Sequence, residues 1–312
     1  MEGMRLTQHS GRSHASRRRT PWTRLDRHSR SIALVLAALA PAFALLLPQA
    51  AGAAAPQYAA LGDSYTSAPG ILPLAPASPP QCGQSARNYP HLIATALKLS
   101  LTDASCAGAK TENFTNSQSP GQGPQFDALH RSTKVVSVSM GGNDEALFVT
   151  LLAGCSVADA GRPNVGAPCE SQYEAFVNEA FAQSQAPREA ALAQIHRHSP
   201  KAKLFVVGYP EVMPSSGYCP AAIPWTTGDL KWFREVTVRI NNALGRWAQA
   251  HGATFVDTFT PSKGHNACEA LGTRWIEPLI GSLTGVPLHP NVTGVEHEAL
   301  DVGTAMKQAG IR

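Results

Sequence analysis

The sequence predicts an α/β fold: a buried parallel sheet with helices packed against it. Two observations carry this. Short, near-continuous apolar runs alternate with longer segments of helical periodicity, and strands apolar on both faces belong to parallel sheets covered on both sides. Two of the runs end directly in glycine corners, Gly62-Asp63-Ser64 and Gly141-Gly142-Asn143, as strand ends do where a sheet carries its ligand site.

In chain order, Gln57–Gly62 (QYAALG) is the first short strand. Arg87–Leu99 places Leu92, Ile93, Ala96 and Leu97 on one helical face. Lys134–Met140 (KVVSVSM) is Val-rich and stops at the double glycine. Glu170–His198 has an Ala-rich helical composition, with an interruption expected at Pro187. Lys203–Tyr209 (KLFVVGY) is a strand closed by Pro210. Asp229–His251 repeats Leu230, Phe233, Val236, Ile240, Leu244 and Trp247 at helical steps. Ala253–Asp257 is a further strand and Asn291–Ala309 a closing helix. No repeat or linker divides this region, so one domain is expected over 56–312.

The first 55 residues read differently. Residues 1–30 hold eight arginines against Glu2 and Asp26, and Ile32–Leu47 is apolar but broken by Pro41. Basic, apolar and small-residue stretches in that order make a secretory signal. Residues 1–55 are therefore a signal region cut near Ala53–Ala55, an uncleaved anchor being the alternative. Arg17–Arg19 invites a twin-arginine reading, but Thr20-Pro21-Trp22 follows and the apolar run starts only at Ser31. The formal charge of +4 is due to this region, since the remainder has 18 basic and 20 acidic residues. A nucleic-acid partner is not expected of such a domain, nor a stable membrane anchor; a monomeric, extracellular protein is.

All six cysteines lie downstream: Cys82, Cys106, Cys155, Cys169, Cys219 and Cys268. An even count in an exported chain reads as disulfides. Of the possible pairings, short loops favour Cys82–Cys106, Cys155–Cys169 and Cys219–Cys268. No C-x-x-C pair and no histidine at ligand spacing point to a metal, and no nucleotide motif points to a cofactor.

Four places carry chemistry. Ser64 follows a strand end, where a hydroxyl faces the cleft and a backbone N–H faces an anion. Taken singly, it is also an ordinary helix cap. Cys106-Ala107-Gly108-Ala109 offers a bare backbone N–H at Gly108. Gly141-Gly142-Asn143-Asp144 presents the amide of Asn143. Pro287-Leu288-His289-Pro290-Asn291 precedes the last helix. His265 is the rival base, and His297 falls within the helix, where it is expected to be solvated.

These four blocks, in this order, resemble those of the GDSL, or SGNH, hydrolases. The likeness covers essentially 57–309 and is closest to secreted actinobacterial lipases and esterases, which share six cysteines and a Gly-His element, here Gly264-His265. It implies a three-layer α/β/α sandwich with a flavodoxin-like parallel sheet. It also implies a serine carboxylic-ester hydrolase acting on a small-molecule or lipid ester. Ser64 becomes the nucleophile and His289 the base, while the N–H groups of Ser64 and Gly108 with the Asn143 amide form the oxyanion hole. The family's usual Asp three residues before the histidine is Val286 here. The main-chain carbonyl of Val286 is therefore expected to orient the ring, neither Asp257 nor Glu296 having the right spacing. Asp63 is expected to be structural. Ala68–Gln81 is either a wall of an acyl pocket or a rigid surface loop. A carbohydrate deacetylase and a non-catalytic binding module are the alternatives.

Overall fold

The computed structural model describes residues 57–312; the signal region expected at 1–55 lies outside them. Five strands, β1 (Gln57–Gly62), β2 (Ser100–Asp103), β3 (Val135–Ser139), β4 (Lys203–Val207) and β5 (Thr254–Val256), form one sheet in the order β2-β1-β3-β4-β5. Every pair is parallel, with Tyr58 beside Leu101 and Val135, and Val136 beside Leu204. This is the expected flavodoxin-like order.

Alternation along the strands supplies both faces of the sheet. Ala59, Leu61, Val136, Val138, Leu204 and Val206 join one core with α3 (Leu147–Ala158), α4 (Pro168–His198) and α5 (Thr227–Ala250). Tyr58, Ala60, Val135, Phe205 and Val207 join the other with α2 (Tyr89–Leu97) and α6 (Val292–Gln308). The result is three layers. A four-residue helix, α1 (Ser64–Ser67), follows β1 directly.

Three features depart from the sequence reading. The β2 strand, not assigned from sequence, is a four-residue edge strand whose residues are exposed or only half-buried, so its polar Ser100, Thr102 and Asp103 produce no apolar run. The α3 helix was also not assigned: Leu147–Ala158 is apolar nearly all round and has no amphipathic stripe to detect. The third is Pro187, which does not interrupt α4. A proline removes one N–H from the ladder, and here the next residue braces the turn, Arg188 Nε donating to the carbonyl of Ser184 at 3.1 Å.

The N-termini of α4 and α5 share one buried carboxylate. Asp229 accepts from the N–H groups of Cys169 (3.0 Å) and Glu170 (2.8 Å), and the Thr226 hydroxyl caps α5. The disulfides join Cys82 to Cys106, Cys155 to Cys169 and Cys219 to Cys268. The first lies in the core beside the Gly108 corner, where Ala107 N–H donates to the Cys82 carbonyl at 3.0 Å.

Replacing Cys82 and Cys106 together by Ala should lower unfolding free energy by about 3 kcal/mol, because the unfolded chain regains the entropy of that loop. Urea denaturation of the oxidised protein and the double variant measures the difference.

Candidate active site

The corner that carries Ser64 is built by steric exclusion. Gly62 has φ 153°, and a Cβ there would stand 2.1 Å from the Thr66 hydroxyl. Only glycine lets β1 turn so sharply into α1. Gln125 clamps that glycine from both sides, donating to its carbonyl at 2.9 Å and accepting from its N–H at 2.8 Å. Asp63 then caps α1, accepting from Tyr65 N–H at 2.9 Å. The turn thrusts Ser64 beyond the carboxyl ends of the strands.

His289 meets Ser64 there, its Nε2 lying 2.7 Å from Oγ. The other ring nitrogen, Nδ1, lies 2.8 Å from the carbonyl oxygen of Pro287. A carbonyl only accepts, so Nδ1 carries the proton and Nε2 offers its lone pair to the serine hydroxyl. Burial pushes the imidazole pKa below its ordinary value, and the bond to the Pro287 carbonyl partly offsets this.

The orienting carbonyl is thus Pro287's and not Val286's. The reason is local: Val286 O already accepts from the backbone N–H of His289 at 3.3 Å. Residues 286–289 form a turn with proline second and a positive φ (60°) at Leu288 third, the pattern of a type II turn. The peptide left free between them is that of Pro287. The loop is pinned beneath by Glu277, whose backbone pairs with Leu288 and His289 and whose carboxylate accepts from the N–H groups of Leu283 and Thr284. Neither rival carboxylate touches His289. Asp257 binds the N–H groups of Phe259 and Thr260, and Glu296 pairs with Arg87.

Gly108 and Asn143 line the same cavity as Ser64 and His289. One amide proton of Asn143 is held by Ala109 O at 3.1 Å, and an asparagine amide has a second. Among the described residues, the N–H groups of Ser64 and Gly108 find no acceptor within the protein. The corners are tied together. Asp144 accepts from the N–H and hydroxyl of Thr111 and lies 3.6 Å from Arg188, while Cys106 N–H donates to Gly62 O. Gly142 could carry no side chain, since a Cβ would fall 2.3 Å from the Phe148 ring.

Asp63 has a structural place, as expected: Tyr209 donates its hydroxyl to Asp63 at 2.5 Å and accepts from Gly142 N–H at 2.9 Å. Burial raises the Asp63 pKa to about 7, against the pull of the Tyr209 bond. His265 does not approach the serine. It binds Thr273 O and stacks on Trp275, and His297, expected to be solvated, stacks on Trp275 as well.

The cavity measures about 340 Å³. Its apolar walls are Phe148, Val149 and Leu152 of α3 with Val212 and Phe233. None was assigned to the site from sequence, Phe233 being read there only as part of a helical stripe, although Leu147–Leu152 closely follows the asparagine corner. Of Ala68–Gln81, Pro69 alone lines the cavity; Leu72 and Leu74 point outward. That segment is a surface loop, anchored by the buried Ile71. Among the described residues, no three His, Cys, Asp or Glu side chains are grouped to hold a metal.

The family model described as GDSL-like Lipase/Acylhydrolase matches residues 60–297. Lipase 2 of Streptomyces coelicolor is 39% identical over 240 residues, covering 76% of this chain and 81% of that protein. Among solved structures, phospholipase A1 from Streptomyces albidoflavus NA297 is 27% identical with a TM-score of 0.67, over 81% of this chain and 99% of that one. An extracellular lipase from Streptomyces rimosus is 25% identical with the same TM-score, 0.67, over 80% and 99%. With a family match spanning most of the folded region, and the four sequence blocks meeting around one cavity, the chain belongs to the GDSL-like lipase/acylhydrolase family of carboxylic-ester hydrolases.

Proposed function

We propose that the protein is an exported, monomeric lipase or esterase that cleaves esters of apolar acyl chains through a Ser64–His289 dyad. The observation that carries this is the 2.7 Å contact of His289 Nε2 with Ser64 Oγ, at the head of an apolar cavity. The disulfides fit an oxidising, extracellular setting. Among the described residues, no helix is long and apolar enough to cross a membrane.

Ser64 Oγ attacks the ester carbonyl as its proton passes to Nε2. The oxyanion is received by the N–H groups of Ser64 and Gly108 and the Asn143 amide. Losing one such donor typically costs about 100- to 1,000-fold in rate. The tetrahedral species collapses to an acyl-serine, and the leaving alkoxide takes the proton from Nε2. Water then attacks the acyl-serine and gives its proton to the same nitrogen; the second tetrahedral species collapses as Ser64 Oγ takes that proton back, and the carboxylic acid departs. The acyl chain lies against Phe148 and Leu152. These walls favour a longer acyl group over acetyl, and so a lipase or esterase over a carbohydrate deacetylase.

Ser64→Ala and His289→Ala should each lower kcat/KM on a soluble p-nitrophenyl ester by about 10,000-fold or more in folded protein. Asp257→Ala and Glu296→Ala should cost less than about tenfold, or about 1.4 kcal/mol of barrier. A loss at either carboxylate as deep as at His289 would replace the main-chain carbonyl with a displaced acid.

His289 must be neutral to act as base, and its pKa lies below the ordinary value of 6.5. Activity should hold at neutral pH and fall only on acidification, with the acid limb of kcat/KM centred below about 6.5. A pH profile on a non-ionising ester measures it.

Leu152→Trp should shorten the preferred acyl chain. Octanoate hydrolysis should fall about tenfold or more, with acetate changed much less, since each displaced methylene is worth about 1–3 kcal/mol. A chain-length series of p-nitrophenyl esters gives the outcome.

A further inference from the structure

A triad aspartate does two things: it fixes the imidazole tautomer and it stabilises the imidazolium formed during reaction. The Pro287 carbonyl does the first. Being neutral, it does less of the second, and no carboxylate touches the ring.

The imidazole has another neighbour. The Tyr65 ring stacks on His289 with centroids 4.9 Å apart and planes 29° from parallel. The same side chain donates its hydroxyl to Leu288 O at 2.7 Å. Leu288 is the positive-φ residue of the turn that aims the Pro287 carbonyl, so this bond holds the turn in its less favoured conformation. Tyr65 is itself fixed. Its N–H is held by Asp63, and its ring stands edge-on to Tyr209 at 4.9 Å and 85°. It is buried and adjoins the nucleophile.

Resting on the Ser64–His289 reading above, we propose that Tyr65 is a positioning residue that backs the Pro287 carbonyl in the first duty of the missing acid and supplies part of the second. Its hydroxyl locks the turn presenting the Pro287 carbonyl, and its ring face supports the imidazolium. An aromatic face attracts a cation through its quadrupole, more strongly where water is excluded. The proton still moves only between Ser64, His289 Nε2 and the leaving group.

The other groups near the ring are few. Asp63 accepts from the Tyr65 N–H, and both it and the buried Glu298 act electrostatically on Tyr65. Glu277 lies under the loop with its carboxylate spent on Thr284, Leu283 and Arg274. The α3 wall contributes the uncharged Phe148. Burial raises the Asp63 pKa to about 7, so a pH profile of activity alone does not isolate the imidazole and His289 has to be observed directly.

The test compares Tyr65→Phe, which keeps the ring face and loses the hydroxyl, with Tyr65→Leu, which loses both. Two readouts are used: kcat and KM on a soluble ester, and the His289 pKa by NMR in a Ser64→Ala background, which needs no turnover. Phe should lower kcat about two- to tenfold with KM little changed and the imidazole pKa unmoved. Leu should lower kcat about 5- to 30-fold. It should also shift the His289 pKa downward, because the charged form has lost its support, moving the acid limb of activity to lower pH.

An unmoved pKa in Tyr65→Leu, or a loss confined to KM, overturns the proposal. So does a Phe variant with unchanged kcat, which alone decides the matter if the Leu variant does not fold. Failure of the dyad reading itself would appear separately, as activity surviving in His289→Ala.

Discussion

The carboxylate of Asp63 is the knot of the active-site end. It accepts the N–H of Tyr65, a bond that caps α1, and the hydroxyl of Tyr209, which in turn receives the N–H of Gly142. One buried acid therefore joins the end of β1, the end of β4 and the corner after β3. Burying a carboxylate is costly unless its oxygens are satisfied, and both oxygens of Asp63 are bonded. Without it, the corner carrying Ser64 and the corner carrying Asn143 would lose their shared reference point.

A second constraint is the scarcity of charge beside His289. The ring is oriented by a peptide carbonyl, itself aimed by a tight turn, and the turn is held by backbone pairing with Glu277. Orientation here is a property of chain conformation. A side-chain acid can be removed by one substitution; this acceptor can be lost only by changing the path of the backbone. The same logic appears at Gly62 and Gly142, where atoms that are absent, two Cβ groups, let the reacting groups converge.

Much of this was legible in the sequence, for physical reasons. Val135–Ser139 and Leu204–Val207 are buried on both faces and so read as near-continuous apolar runs, while α5 faces water on one side and shows its stripe. Ser64 and Asn143 stood out because strand ends and glycine corners leave local marks, while Gly108 and His289 took their roles from the order of the four blocks. What stayed hidden depends on tertiary surroundings. β2 is a strand because Gln57–Ala60 lies beside it, not because of its own composition. The α3 helix is apolar on most sides, which masks its period. Counting back from His289 suggested Val286; only the turn decides that Val286 O is consumed and Pro287 O is free. No local pattern announces Tyr65's reach to Leu288, 223 positions away.

The placement of α3 bears on how such a fold changes over time. This helix walls the cavity with Phe148, Val149 and Leu152, yet it takes no part in the sheet's hydrogen bonding. One end hangs from the Gly142–Asn143 corner, and the other is stapled to α4 by the Cys155–Cys169 bond. Val149 and Val157 are largely exposed, so the helix is not locked into the core on every side. Val149 and Leu152 on its cavity face stand clear of the strands that carry Ser64 and Asn143, whereas the Phe148 ring packs on Gly142 and Tyr209. In the proposed reading, acyl selectivity rests on these wall positions and catalytic geometry on the strand ends, so the two belong to separate parts of the chain.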